Sequence, residues 1–273
     1  MMNSPARAAA RTRALVFRAV GERVMPSGAD IAREVLLVMG LFVAYQLVRW
    51  VAIDDVRPAF ANARAIIEWE REANIYLERS LQTSLIRFDT VVEFLSAYYV
   101  WGLYPFMVGL GAITFVANRD LYRWARNAIF ISWAIALIGY VLFPVAPPRF
   151  FLDQGFIDTV YGSSINLAPP WTNHYAAMPS MHQGFAVIFA VTAYRLFVPM
   201  VGWPLAVALP VLMFLSIVAT GNHFVADAAA GIVVVTVGMV AAWYWERRQA
   251  ERRAPAVAYA WDGDGPSTEP RGS

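Results

Sequence analysis

Cysteine and lysine are both absent from the 273-residue chain. The first absence excludes disulfides, thiolate nucleophiles and Cys-ligated zinc. The second excludes Schiff-base chemistry and lysine-dependent phosphate binding, so all 22 basic residues are arginine. Charge is scarce: charged residues are 15% of the chain, where a soluble domain has about a quarter. Histidine occurs only as His174, His182 and His223. Apolar residues are what the chain has in plenty, at 59%, with a mean hydropathy of +0.47. This balance excludes a disordered chain, a coiled coil and an ordinary soluble enzyme. It predicts an all-α fold, a polytopic membrane helical bundle.

A spanning helix needs about 20 mostly apolar residues. Six stretches approach that requirement: Val35–Ile53, Thr90–Val116, Asn127–Phe143, Gln183–Phe197, Trp203–Ala219 and Ala226–Trp245. The fourth is short and needs tilt or its flanks to cross. Between the first two lies Pro58–Arg87, where Ile66, Ile67, Trp69 and Leu77 mix with Glu68, Glu70, Glu72 and Glu78. That mixture predicts an amphipathic helix on the membrane surface, either shaping a lipid entrance or serving as a structural collar. Residues 1–30 read as a basic N-terminal segment without a cleaved signal peptide. Residues 31–245 read as the membrane-embedded catalytic domain, and 246–273 as a disordered tail rich in Gly, Pro and Ser.

Arginine asymmetry orients the spans. Putting the N-terminus in the cytoplasm places Arg7, Arg11, Arg13, Arg18, Arg23 and Arg33 there. Arg119, Arg123, Arg126, Arg195 and the arginines of the tail follow, fifteen of the 22 in all. Six spans then leave both termini inside, in an integral protein of the plasma membrane. The amphipathic segment, the Pro144–Ser180 loop and the junction near His223 fall on the extracytoplasmic face.

All three histidines fall on that face, with Arg149 and Asp227, although the arginine count made no use of them. Ionisable groups at membrane depth cost roughly 2.5–3.5 kcal/mol each and are functional candidates by default. In Met178-Pro179-Ser180-Met181-His182, proline and serine before an apolar run mark a helix start with Ser180 as N-cap. The amides of such a start attract anions, and His182 projects beside them. In Asn222-His223-Phe224-Val225-Ala226-Asp227, His223 and Asp227 are i and i+4 on one helix face. There a carboxylate can fix the imidazole tautomer, or the pair is simply a capped helix start. In Pro147-Pro148-Arg149, prolines end a span and stiffen an arginine suited to bidentate phosphate binding, or to snorkelling. His174 reads as a loop or rim residue.

Together these motifs resemble the type 2 phosphatidic acid phosphatase superfamily, in its inositol phosphorylceramide synthase-like (inositolphosphotransferase) branch. The resemblance covers residues 30–245 in layout and 144–231 in motifs. It implies that His223 is the nucleophile, that Asp227 orients it and that His182 protonates the leaving oxygen. It also implies substrate binding by Arg149, Ser180, Asn222 and His174, with no metal and no cofactor. The implied activity is a lipid phosphatase or phosphotransferase acting through a phosphohistidine at the extracytoplasmic face. Its partners are a lipid phosphate substrate, membrane lipids and an alcohol acceptor, with no nucleic acid. The chain carries no sequence signal for an oligomeric state. Leu142, Phe150, Met181 and Ile217 stand where the superfamily has lysine, proline, glycine and arginine. The loss of two cations favours the synthase-like branch over a generic phosphatase.

Two other classes compete. One is a metal-dependent membrane hydrolase with His174, His182, His223 and Asp227 as ligands, although the histidines lack close helical pairing. The other is a non-catalytic lipid-binding or transport protein. Against transport stands the expectation that no span is broken at mid-membrane, where transporter sites lie.

Overall fold

A computed structural model describes residues 26–51, 56–159 and 175–253. Most of the basic N-terminal segment, His174 and the Gly/Pro/Ser-rich tail lie outside those residues. Helix α1 is Gly28–Val51, α2 is Val56–Glu72, α3 is Glu78–Leu85 and α4 is Asp89–Trp101. Then come α5 (Leu103–Ala117), α6 (Arg119–Leu142), α7 (Met181–Leu196), α8 (Pro199–Ala219) and α9 (Val225–Arg253). No strand forms among the described residues; a lone parallel bridge joins Val145 to Ala176. The protein is all-helical.

Three helices, α6, α8 and α9, are long and apolar enough to cross a membrane. The α4–α5 pair passes only as a broken span, bent by 40°. The sequence predicted an unbroken second stretch, and here the structure corrects it. Pro105 has no N–H for the helical ladder, and a π-turn at Phe106–Leu110 absorbs the defect. The bend removes the argument that unbroken spans disfavour transport. Helix α7, at 16 residues, reaches about 24 Å, less than a hydrocarbon core of about 30 Å. Helix α1 has 24 residues but carries Asp30, Arg33 and Glu34 in its first two turns. Helix α9 runs to Arg253, past the boundary drawn at residue 245.

Helix α7 packs against α8 and α9, α6 lies along α9, and α4 lies along α8. Small residues permit the closest approaches. A Cβ at Gly231 would collide with the Ser180 carbonyl, and one at Gly184 would meet Val235. At one end of the bundle, polar side chains join the helices. Arg126 pairs with Glu34 of α1 at 2.6 Å, and Arg123 with Glu246 of α9 at 3.2 Å. At the other end the chain leaves α6, turns through Pro144–Phe151 and re-enters α7 at Ser180. The bundle's flanks expose large apolar side chains, among them Leu36, Val108, Ile138 and Val233, as a lipid-facing surface does.

The amphipathic stretch is two helices rather than one. Helix α2 buries Ala59, Ala63, Ile66, Ile67 and Glu70 against Val145, Phe151, Ala177 and Phe224. Asn62 donates to the Pro144 carbonyl at 2.9 Å, and the Ala146 amide donates to the Ala59 carbonyl at 3.1 Å. These helices therefore hold the loops that carry the candidate site.

Candidate active site

Each site residue is positioned by a local rule. Ser180 is the N-cap of α7, accepting the Gln183 amide at 3.4 Å. Its own amide donates to the Asp227 carbonyl at 2.9 Å, which fixes the start of α7 against the first turn of α9. Tyr140 on α6 holds the preceding residue by donating to the Pro179 carbonyl at 3.1 Å. His182 follows in the first turn of α7. Helix α8 ends at Ala219 with Thr220 as its C-cap, and the chain turns at Gly221, whose φ of +68° only glycine adopts readily. That turn lets the Asn222 and His223 amides return to the Ile217 carbonyl at 2.9 and 3.1 Å. Arg149 sits in a 3-10 turn that begins with Pro148, and its amide donates to the Gly221 carbonyl at 2.8 Å. Its guanidinium donates to Asn222 Oδ1 and lies 3.6 Å from Asp158.

His223, buried at 5% exposure, carries the most informative contacts. Its Nδ1 is 2.9 Å from the Ala177 carbonyl and 3.5 Å from Asp227 Oδ2. A carbonyl only accepts, so Nδ1 must carry the proton. Nε2 then holds a lone pair in the neutral ring, and it is buried without a hydrogen-bond partner among the described residues. The His182 ring lies 5.9 Å away between centroids, and the Tyr99 ring of α4 lies tilted against His182 at 4.4 Å. Asp227, wholly buried, accepts the Phe224 amide at 2.8 Å. The nearer partner of His223 is thus the Ala177 carbonyl, with Asp227 behind it.

The structure brings together His182, His223, Asp227, Ser180, Arg149 and Asn222 from α7, α9 and three connecting turns. His174 lies outside the described residues. Among those residues no group of three or more His, Asp or Glu is arranged to hold a metal ion. The resulting pocket of groups offers an unprotonated imidazole nitrogen, a second imidazole, a guanidinium and the N-terminus of α7. Groups of this kind can meet the charge of a phosphoryl group. The sequence model of the PAP2 superfamily matches residues 64–241, from α2 into α9. The chain belongs to the PAP2 superfamily. No curated protein and no solved structure matches it. Membership supports a phosphatase-type phosphoesterase acting on lipid phosphates in a membrane, and it embraces every described candidate residue.

The departures from the PAP2 pattern have distinct surroundings. Leu142 is 76% exposed at the end of α6, on the lipid-facing side. Ile217 is fully buried and serves the turn through its carbonyl. Met181 is buried in the core between helices. None of these positions supplies a cation here, so Arg149 is the guanidinium that faces the site through Asn222.

Sequence reasoning missed Tyr99, Asp158 and the Ala177 carbonyl. It also missed the depth of Glu70 and Glu78, both at zero exposure. A signal for Glu70 did exist: it continues the Ala59, Ala63, Ile66 and Ile67 stripe, the apolar face of α2. For Tyr99 there was none, because an aromatic in a span is ordinary.

Proposed function

We propose that this PAP2 protein cleaves a phosphoester of a lipid through a phosphohistidine and passes the phosphoryl or phospho-headgroup to water or an alcohol. Nε2 of His223 attacks phosphorus as the bond to the leaving oxygen breaks. His182 delivers a proton to that oxygen. The acceptor's oxygen then attacks the phosphohistidine, gives its proton back to His182, and frees His223. Arg149, Ser180, Asn222 and His174 bind the substrate, and the α7 N-terminus meets its charge. Six spans, with both termini in the cytoplasm, put the reaction at the extracytoplasmic face of the plasma membrane. The missing family cations favour the inositol phosphorylceramide synthase-like branch, in which the acceptor is an alcohol.

The observation that carries this reading is the Nε2 of His223, without a partner among the described residues, with Nδ1 held by the Ala177 carbonyl on the other side of the ring. His223→Ala should abolish turnover of lipid phosphates, and Asp227→Asn should lower it by about 10²–10⁴-fold with folding intact. Rapid quench of the native enzyme with labelled substrate should trap an acid-labile, base-stable phosphoprotein. Normal turnover in the His223 variant would remove the nucleophile assignment. Transfer is read separately, as a phosphorylated alcohol formed when an inositol-type polyol is added.

A further inference from the structure

The first amides of α9 are taken by carboxyl groups, two of them from the outer helices. Asp227 accepts the Phe224 amide at 2.8 Å, Glu78 the Val225 amide at 2.7 Å, and Glu70 the Ala226 amide at 2.7 Å. Glu70 lies on α2 and Glu78 on α3, more than 140 residues before the amides they cap. The second oxygen of each glutamate is buried and, among the described residues, receives no hydrogen bond from an amide, hydroxyl or cationic donor. Two buried carboxylates in that state would repel one another and leave lone pairs unmet. A single proton held between them removes both penalties.

We propose that Glu70 and Glu78 are positioning residues for the reaction: sharing one proton, they clamp α2 and α3 onto the N-terminus of α9 and fix the attack line of His223. The proposal rests on the phosphotransfer reading of the site. Burial, with the bond to and charge of Glu78, pushes the Glu70 carboxyl up to about 9, and burial raises Glu78 as well. The charged and titratable groups facing the pair are Asp227 from α9 and Tyr76 from the α2–α3 turn, with Arg71 over the Tyr76 ring at 4.8 Å. His223 stands beyond Asp227. The clamp has a second consequence. A free helix N-terminus attracts phosphate, and here α9 is already occupied by carboxyl groups. Substrate charge is thereby left to the N-terminus of α7 and to Arg149.

Glutamine at position 70 can still accept the Ala226 amide and donate to Glu78, whereas alanine can do neither. In purified full-length protein, Glu70→Ala and Glu78→Ala should speed hydrogen exchange of the 224–228 amides about tenfold or more. They should lower kcat about 10²-fold with KM nearly unchanged. Glu70→Gln should stay within about threefold of the native enzyme in both at pH 7. On nitrophenyl phosphate, whose departure needs no acid, native kcat should fall above about pH 9 as the shared proton leaves. Glu70→Gln should lack that fall. Native exchange and kcat in the alanine variants would overturn the clamp, as would a glutamine variant as impaired as alanine. Should the alanine variants fail to fold, an unchanged alkaline fall in Glu70→Gln overturns the shared proton. If the native protein turns over no phosphate ester, the phosphotransfer reading fails instead, and exchange alone judges the clamp.

Discussion

His182 and His223 are chemically identical side chains in different surroundings, and the proposed mechanism gives them different work. His223 has its Nδ1 proton held by the Ala177 carbonyl and its Nε2 bare. His182 lies beside the Tyr99 ring, 4.4 Å between centroids, and the proposed mechanism has it deliver the proton to the leaving oxygen. A general acid matters most when the leaving alkoxide is strongly basic. His182→Ala should therefore lose about 10²–10⁴-fold in single-turnover rate on a lipid phosphate and far less on a nitrophenyl phosphate. Equal losses on both would make His182 a phosphate ligand. The two histidine motifs were legible because charge is so rare in this chain that each polar residue near a span end stands out. The Ala177 carbonyl was not legible, since a backbone acceptor has no letter of its own. Glu70 and Glu78 were read as part of a polar surface, because an amphipathic pattern shows which face is apolar but not what a glutamate on its margin meets.

At the scale of the element, the all-helical character of the described residues was read correctly, while the continuity of the second stretch was not. Apolar length marks α6, α8 and α9 as spans, but the bend between α4 and α5 depends on how Pro105 is accommodated. The amphipathic stretch breaks at Asn74, whose φ of +57° turns the chain between α2 and α3. What sequence pattern could least reveal is how closely helices approach. Gly231 of α9 sits against the Ser180 carbonyl, and Ser180 in turn donates its amide to Asp227. A methyl group here has backbone in its way, not a flexible side chain, so the two helix starts must separate. Gly231→Ala should destabilise the fold by about 1–3 kcal/mol or more. It should also depress kcat more than KM, because the Ser180–Asp227 bond lies on the path between α7 and the nucleophile. Gly238→Ala provides the control. It opens the α6–α9 contact at Ser132 and Ala128 instead and should cost stability without the selective loss of kcat. Thermal unfolding in detergent, set beside steady-state kinetics, separates the two.

Across the described residues, one end of the bundle carries more of the arginines and the other carries the candidate site, with Arg57, Arg64, Arg71, Arg79 and Arg87 offset there by acidic neighbours. Arg119, Arg123, Arg126 and Arg195 cluster on the end where Glu34 and Glu246 bind α6. Arg149, His182, His223 and Asp227 gather at the opposite end, beneath α2. Bilayers retain arginine-rich ends in the cytoplasm, so the site should face outward. The orientation has a direct test. Without native cysteine, a single introduced thiol is the only one in the chain. Leu152 is 66% exposed beside the Arg149 turn, and Ala250 is exposed near the end of α9. Leu152→Cys should react with an impermeant maleimide in intact cells, and Ala250→Cys only after the membrane is opened. Both thiols are accessible in the folded protein, so a failure to label reports the membrane and not burial. The reverse pattern would turn the molecule over and place the histidines in the cytoplasm. The chemistry of His223 would survive that inversion, but its substrate would have to be a lipid of the inner leaflet and its acceptor a cytoplasmic one.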